Sequence, residues 1–311
     1  MKVTLSYSQI SAAFATVALT FFSSALLADD LEEIQKRGVL RHLGVSYANF
    51  VSYIDQNDFQ YLTGLDVEIV QGFAESIGVE YQYVPAQWNN VFGKLIGQDA
   101  QFTNNALTLG KQVPIEGDLI ANGVTILEWR TQIADFSTDY FPSAVWLIAK
   151  TESDLKPIQP SGSSAKDIVQ VKQLMRGKDV LAMEHSCLDP NLYQLYDTGA
   201  NIILPEQQRK LSEMVPAVLN SNAESTLLDV PDTLIALEKW PGEIKVIGPV
   251  SEEQRMAAVF RKDSPNLRIE FNKYLSKIKK DGSYNKLVEK YYPSVFYFYE
   301  GYFTEGSKSK L

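Results

Sequence analysis

From residue 31 onward the apolar positions of the chain change period repeatedly. Residues 31–36 repeat at helical spacing, Gly38 interrupts them, and residues 39–45 read as a strand. A stretch rich in aromatics then runs as a loop to Gly64. Over 65–77, Val67, Ile69, Val70, Phe73, Ala74 and Ile77 fall on one helical face, and Gly78 ends that helix before a strand at 79–84. Strand, helix, strand in that order is a βαβ opening, which implies a parallel sheet. Further strands are predicted at 119–125, 144–149, 180–183, 226–228, 244–247 and 256–260, and helices over 190–196, 233–239 and 266–280. The Pro-, Ser- and Gly-rich run 157–164 reads as a surface loop.

The N-terminus follows a different pattern. Lys2 is the only charged residue before Asp29, and residues 10–27 are apolar with Ala, Ser and Thr interspersed. This predicts a secretory signal peptide over 1–28, cleaved after the small residues Ser23, Ala25 and Ala28, and a periplasmic location. A membrane anchor is the alternative, because about 18 apolar residues approach a bilayer span. No cysteine lies near the cut, so a lipid anchor is not expected.

Composition narrows the function classes. With 311 residues, 45% of them hydrophobic and 22% charged, the chain is an ordinary folded protein long enough for two lobes. A single cysteine, Cys187, forbids an internal disulfide, and with only His42 and His185 beside it no Cys- or His-rich metal site is expected. The net charge of -9 argues against nucleic acid, whose phosphates demand a basic surface.

Five blocks carry a resemblance over residues 31–293. They are Arg37-Gly38-Val39-Leu40-Arg41; Leu62-Thr63-Gly64-Leu65-Asp66-Val67-Glu68; Trp88; residues 117–125 with Arg130 and Asp135-Phe136-Ser137; and Asp281-Gly282-Ser283-Tyr284 before Tyr291-Tyr292-Pro293. In order and spacing they resemble the extracytoplasmic solute-binding proteins of the amino-acid-binding type, family 3, which serve bacterial ABC importers. The resemblance implies an α/β, two-lobed periplasmic binding protein fold (type II) with two hinge strands. Lobe 1 is expected from 29–141 with 254–293, lobe 2 from 142–253, and a tail at 294–311. It also implies a small-molecule ligand held between the lobes, a membrane ABC permease as partner, a monomer, no cofactor and no enzymatic activity.

The chemistry of the candidate site is readable beside the resemblance. Arg130 presents a planar fork that matches a carboxylate, though it could equally pair with Glu128 or Asp135 on the surface. Thr125 adds a hydroxyl and Gly123 a carbonyl for a ligand ammonium. Tyr47, Phe50 and Trp88 fall where the family places aromatic walls, although core packing is the commoner fate of an aromatic side chain. Ser186 and Cys187 precede a predicted helix whose N-terminus could face a carboxylate; alternatively Ser186 or Asp189 simply caps that helix. Asp229 matches the family's carboxylate for a ligand ammonium, or is an N-cap for the helix that follows.

Two rivals use the same scaffold. A periplasmic dehydratase would need a general acid, for which Glu184 and Asp229 are the candidates, and a sensory or accessory module would need a separate partner. His185, Cys187 and Asp189 invite a hydrolase reading, but residues two apart in a loop rarely reach nucleophile–base geometry. The chain departs from the family in a polar insertion at 98–116, in Asn122, Trp129 and Asp139, and in an aromatic tail beyond Pro293.

Overall fold

The computed structural model describes residues 30–56, 59–103, 106–205 and 210–305. The predicted signal peptide lies outside these residues. Two five-stranded sheets define two lobes. In the first, Glu80–Pro85, Val39–Gly44 and Leu119–Ile120 run parallel, and Val259–Phe260 lies antiparallel between Leu119–Ile120 and Asp135–Phe136. In the second, Asn201–Ile203, Asp179–Leu181 and Ser225–Asp229 run parallel, and Val145–Lys150 pairs antiparallel with both Ser225–Asp229 and Ile244–Pro249. The chain crosses between the sheets twice, through Phe141–Ser143 and Gln254–Met256, which pair with Arg255 opposite Pro142. These two crossing strands form the hinge between the lobes.

Helices cover the sheets where the periodicity demanded. Leu65–Ser76 buries Leu65, Val67, Ile69, Val70, Phe73 and Ala74 against the first sheet. It starts after Gly64, whose φ of +138° and close approach to the Phe50 carbonyl leave no room for a Cβ. Pro265–Lys280 buries Leu267, Phe271, Leu275 and Ile278 on the same lobe. Among the described residues, no helix is long and apolar enough to cross a membrane.

Several local expectations are corrected. The aromatic loop before Gly64 contains a hairpin, Ser52–Gln56 with Phe59–Thr63. The strand expected over 119–125 is only Leu119–Ile120, because Gly123 takes a φ of +64° that no strand accommodates. The helix expected over 190–196 is two 3-10 turns, Pro190–Tyr193 and Leu195–Thr198, separated by Gln194 at φ +50°. The strand expected over 256–260 is divided between the hinge and the first sheet. The helix Ser164–Leu174, which buries Asp167 and Val171, had no sequence expectation. The insertion forms a hairpin, Gln98–Thr103 with Ala106–Gln112.

The tail continues as two short helices, Val295–Phe298 and Glu300–Glu305. Phe303 is buried within 6.3 Å of the Phe141 ring and 6.4 Å of the Tyr284 ring, and the Tyr302 hydroxyl donates to Asp139 at 2.7 Å. Arg255 of the hinge lies over the Tyr302 ring, 4.8 Å from its centre. The aromatic tail therefore packs along the hinge.

Candidate functional site

The loop that leaves Leu119–Ile120 is fixed by one buried carboxylate. Asp66 accepts the Gly123 N–H at 2.7 Å and the Tyr140 hydroxyl at 2.8 Å. Burial pushes Asp66 up to about 7 while those two donors oppose the shift. A Cβ on Gly123 would stand 2.4 Å from the Phe50 ring, so only glycine passes here. Two residues on, Thr125 bridges to Met256 of the hinge, and its carbonyl accepts from Arg130 Nη1 at 2.8 Å.

Arg130 sits in the short helix Glu128–Ile133 and is 1% exposed. Its guanidinium carbon lies 5.2 Å from the Trp129 ring centre, 5.3 Å from Phe92 and 5.7 Å from Trp88. Nε has no hydrogen-bond partner, nor has the buried hydroxyl of Thr125. Among the described residues no carboxylate forms an ion pair with this arginine. Burial lowers it to about 10, opposed by the nearby Cys187, Tyr193 and Tyr47. An unpaired guanidinium in such surroundings is costly, and aromatic faces offset only part of that cost. An anion placed against Nε would supply the missing partner.

In the second lobe, Asp229 ends the strand Ser225–Asp229 and caps the helix Val230–Lys239, accepting the Asp232 N–H at 3.2 Å. It also accepts the Tyr47 hydroxyl from the other lobe and the Cys187 thiol at 3.5 Å. Burial raises Asp229, and its three donors pull the other way. Asp232 is raised by burial and then by Asp229, and its Oδ2 has no partner. The Tyr193 hydroxyl donates to the Cys187 carbonyl at 2.5 Å and accepts from Gln254 Nε2 of the hinge at 3.2 Å.

The structure thus brings Tyr47, Trp88, Thr125, Arg130, Cys187 and Asp229 together, with Gly123 as the backbone element that allows it. The N-cap alternative for Asp229 is the one seen, through one carboxylate oxygen, while the other oxygen accepts from Tyr47 of the first lobe. Phe50 is fully buried among Tyr47, Phe141 and Tyr292, and its ring closes on the backbone of Gly123. Ser186 spends its hydroxyl on its own turn, donating to the Met183 carbonyl at 2.8 Å and accepting from Leu188 N–H at 3.0 Å. The helix terminus beyond Cys187 is a four-residue 3-10 turn already capped by Asp189. Phe92 and Tyr193 had no sequence expectation, and of the two only Phe92 had a signal, four residues after Trp88; Asn122, one of the departures from the family, is fully buried, and among the described residues both its side-chain polar atoms are unpartnered. Glu184 and His185 are exposed, and the Cys187 thiol, pushed up by burial, bonds to Asp229.

Comparison with known proteins bears on the fold and the family. The L-cystine-binding protein TcyJ of Escherichia coli is 24% identical over 271 residues, covering 84% of this chain and 85% of that protein. Membrane-bound lytic murein transglycosylase F of Desulfosudis oleivorans is 24% identical over 233 residues, and this chain spans only 44% of its length. Among solved structures, a mutant of ArgBP from T. maritima superimposes with a TM-score of 0.66 at 22% identity, covering 85% of this chain and 99% of that one. The L-arginine-bound binding protein AbpA of Streptococcus pneumoniae gives 0.65 at 19% identity, covering 83% and 96%. The model of the bacterial extracellular solute-binding proteins, family 3, matches residues 115–294, and the chain belongs to that family.

Proposed function

We propose that this protein captures a small carboxylate-bearing ligand, an amino acid or a close relative, between its lobes outside the cytoplasm and delivers it to an ABC importer. The observation that carries the reading is Arg130, a fully buried guanidinium with its Nε unbonded and no carboxylate partner among the described residues. A ligand carboxylate on Arg130 and Thr125, with an ammonium on Asp229, would replace the Tyr47–Asp229 contact and satisfy the buried polar atoms of both lobes. Closure then follows from the ligand's greater affinity for the state in which both lobes touch it. The lobe boundaries proposed are 29–141 with 254–293 and 142–253, joined through the crossing strands, and the chain acts as a monomer. Residues 1–28 serve as the export signal.

Binding without chemistry is supported by the surroundings of the acid candidates, since Glu184 is exposed and Asp229 is already held by three donors. The match to less than half of a lytic transglycosylase favours a second reading, an accessory binding module working with a separate partner. A thermal-shift screen of the mature protein against amino acids, small carboxylates, amines and sugars tests the first. A ligand at about 100 times its dissociation constant stabilises the fold by roughly 2.7 kcal/mol. A hit confined to molecules carrying a carboxylate supports the proposal, whereas a response to sugars or amines alone contradicts it.

A further inference from the structure

The hairpin Gln98–Thr103 with Ala106–Gln112 reaches the surroundings of Arg130 through one ring. Phe102, paired with Leu107 across the hairpin, is half-buried and stacks on Trp129 with ring centres 5.4 Å apart and planes 8° from parallel. Trp129 in turn lies 5.2 Å from the Arg130 guanidinium carbon and packs against Phe92 at 5.4 Å. The base of the hairpin is tied to the helix Val91–Ile96, which carries Phe92. Glu116 N–H donates to the Lys94 carbonyl at 2.9 Å, the two side chains pair at 2.7 Å, and Val113 N–H donates to the Gly97 carbonyl at 3.0 Å. Helix and hairpin therefore present two rings, Phe92 and Phe102, to Trp129 from one tethered unit.

We propose that this hairpin is a positioning element for Arg130, with Phe102 acting through Trp129 to hold the guanidinium where it receives an anion. The proposal rests on the reading of Arg130 as the anion-binding group. Among the described residues the Arg130 guanidinium has one hydrogen bond, to the Thr125 carbonyl, so its position depends on the rings packed around it. Aromatic faces on its sides fix that position before the ligand arrives, which is how preorganisation raises affinity. Trp129 can serve as such a face only if its own plane is fixed. Phe102 fixes it with a flat stack, a geometry that aliphatic bulk does not reproduce.

The test compares Phe102→Ala, Phe102→Leu and Phe102→Trp by the Nε–Hε resonance of Arg130, assigned by its loss in Arg130→Lys. The same proteins are titrated calorimetrically with L-cystine and L-arginine as probes. In the parent protein the resonance is ring-current shifted and slow to exchange. Phe102→Ala moves it toward the position of an exposed arginine and speeds its exchange; Phe102→Trp restores it and Phe102→Leu does not. Affinity for a bound probe falls roughly two- to thirtyfold in Phe102→Ala, the range of one cation–π contact. An unchanged resonance in Phe102→Ala, or full restoration by Phe102→Leu, overturns the proposal. A displaced resonance with intact affinity supports the positioning role and overturns the anion-binding reading of Arg130.

Discussion

Tyr47 of the first lobe donates its hydroxyl to Asp229 at the helix cap of the second, so a buried hydrogen bond latches the two lobes to each other. Both groups are buried, and the Tyr47 hydroxyl is pushed well above its ordinary range by burial and by the neighbouring carboxylates. It acts as a neutral donor.

Removing that donor favours the open state. A hydrogen bond to a carboxylate contributes roughly 1.5–3 kcal/mol, so Tyr47→Phe should lower the closed-to-open ratio of the ligand-free protein by about tenfold or more. Small-angle scattering should report a larger radius of gyration for the variant; identical profiles would mean the latch contributes nothing to closure.

Two buried groups in the first lobe give opposing pH dependences. Asp66, pushed up to about 7 from 3.8 by burial, binds more protons folded than unfolded, so its contribution to stability is full below about 4 and is lost as pH rises to 7. His42, lowered by burial to about 4 from 6.5, does the reverse. Its Nε2–H donates to the Ala121 carbonyl at 2.6 Å and Nδ1 accepts from Tyr81 at 2.8 Å, so its contribution is present above 6.5 and lost as pH falls to 4. Each is worth on the order of 3–4 kcal/mol at about 1.4 kcal/mol per pKa unit. Urea unfolding between pH 4 and 8 should show, relative to the parent protein, stability that rises more with pH in Asp66→Asn and falls more with pH in His42→Gln.

The tail offers a paired contrast in stability. Phe303 is buried among Phe141, Tyr284 and Phe296, whereas Tyr297 is 87% exposed. Phe303→Ala should cost roughly 3 kcal/mol and Tyr297→Ala less than about 0.5 kcal/mol in chemical denaturation. Equal effects would mean the tail does not pack on the hinge as described.

The sequence carried the fold more clearly than the site because the two depend on different signals. The face Val67, Ile69, Val70, Phe73 and Ala74 repeats at helical spacing and is buried as a face, which makes it readable without any tertiary knowledge. The hairpin Gln98–Thr103 with Ala106–Gln112 buries so little that its apolar positions do not alternate, and only Phe102 and Leu107 turn inward along its far end. Phe50 and Tyr47 are three residues apart and equally aromatic, yet one is core and the other reaches Asp229; that difference is set by the hinge-side rings Phe141 and Tyr292. Tyr193 meets Cys187 and Gln254 across 6 and 61 residues of chain, contacts no local pattern encodes.

The proposed anion clamp meets its most direct test in the calorimetric affinity of Arg130→Ala for whichever carboxylate-bearing ligand the thermal-shift screen identifies. Losing a buried charge-assisted pair costs about 3 kcal/mol or more, so the affinity should fall at least a hundredfold. Thermal unfolding of the ligand-free variant should meanwhile stay at or above that of the parent, because the substitution removes an unpaired buried charge. An unchanged affinity in a folded Arg130→Ala protein would contradict the clamp outright.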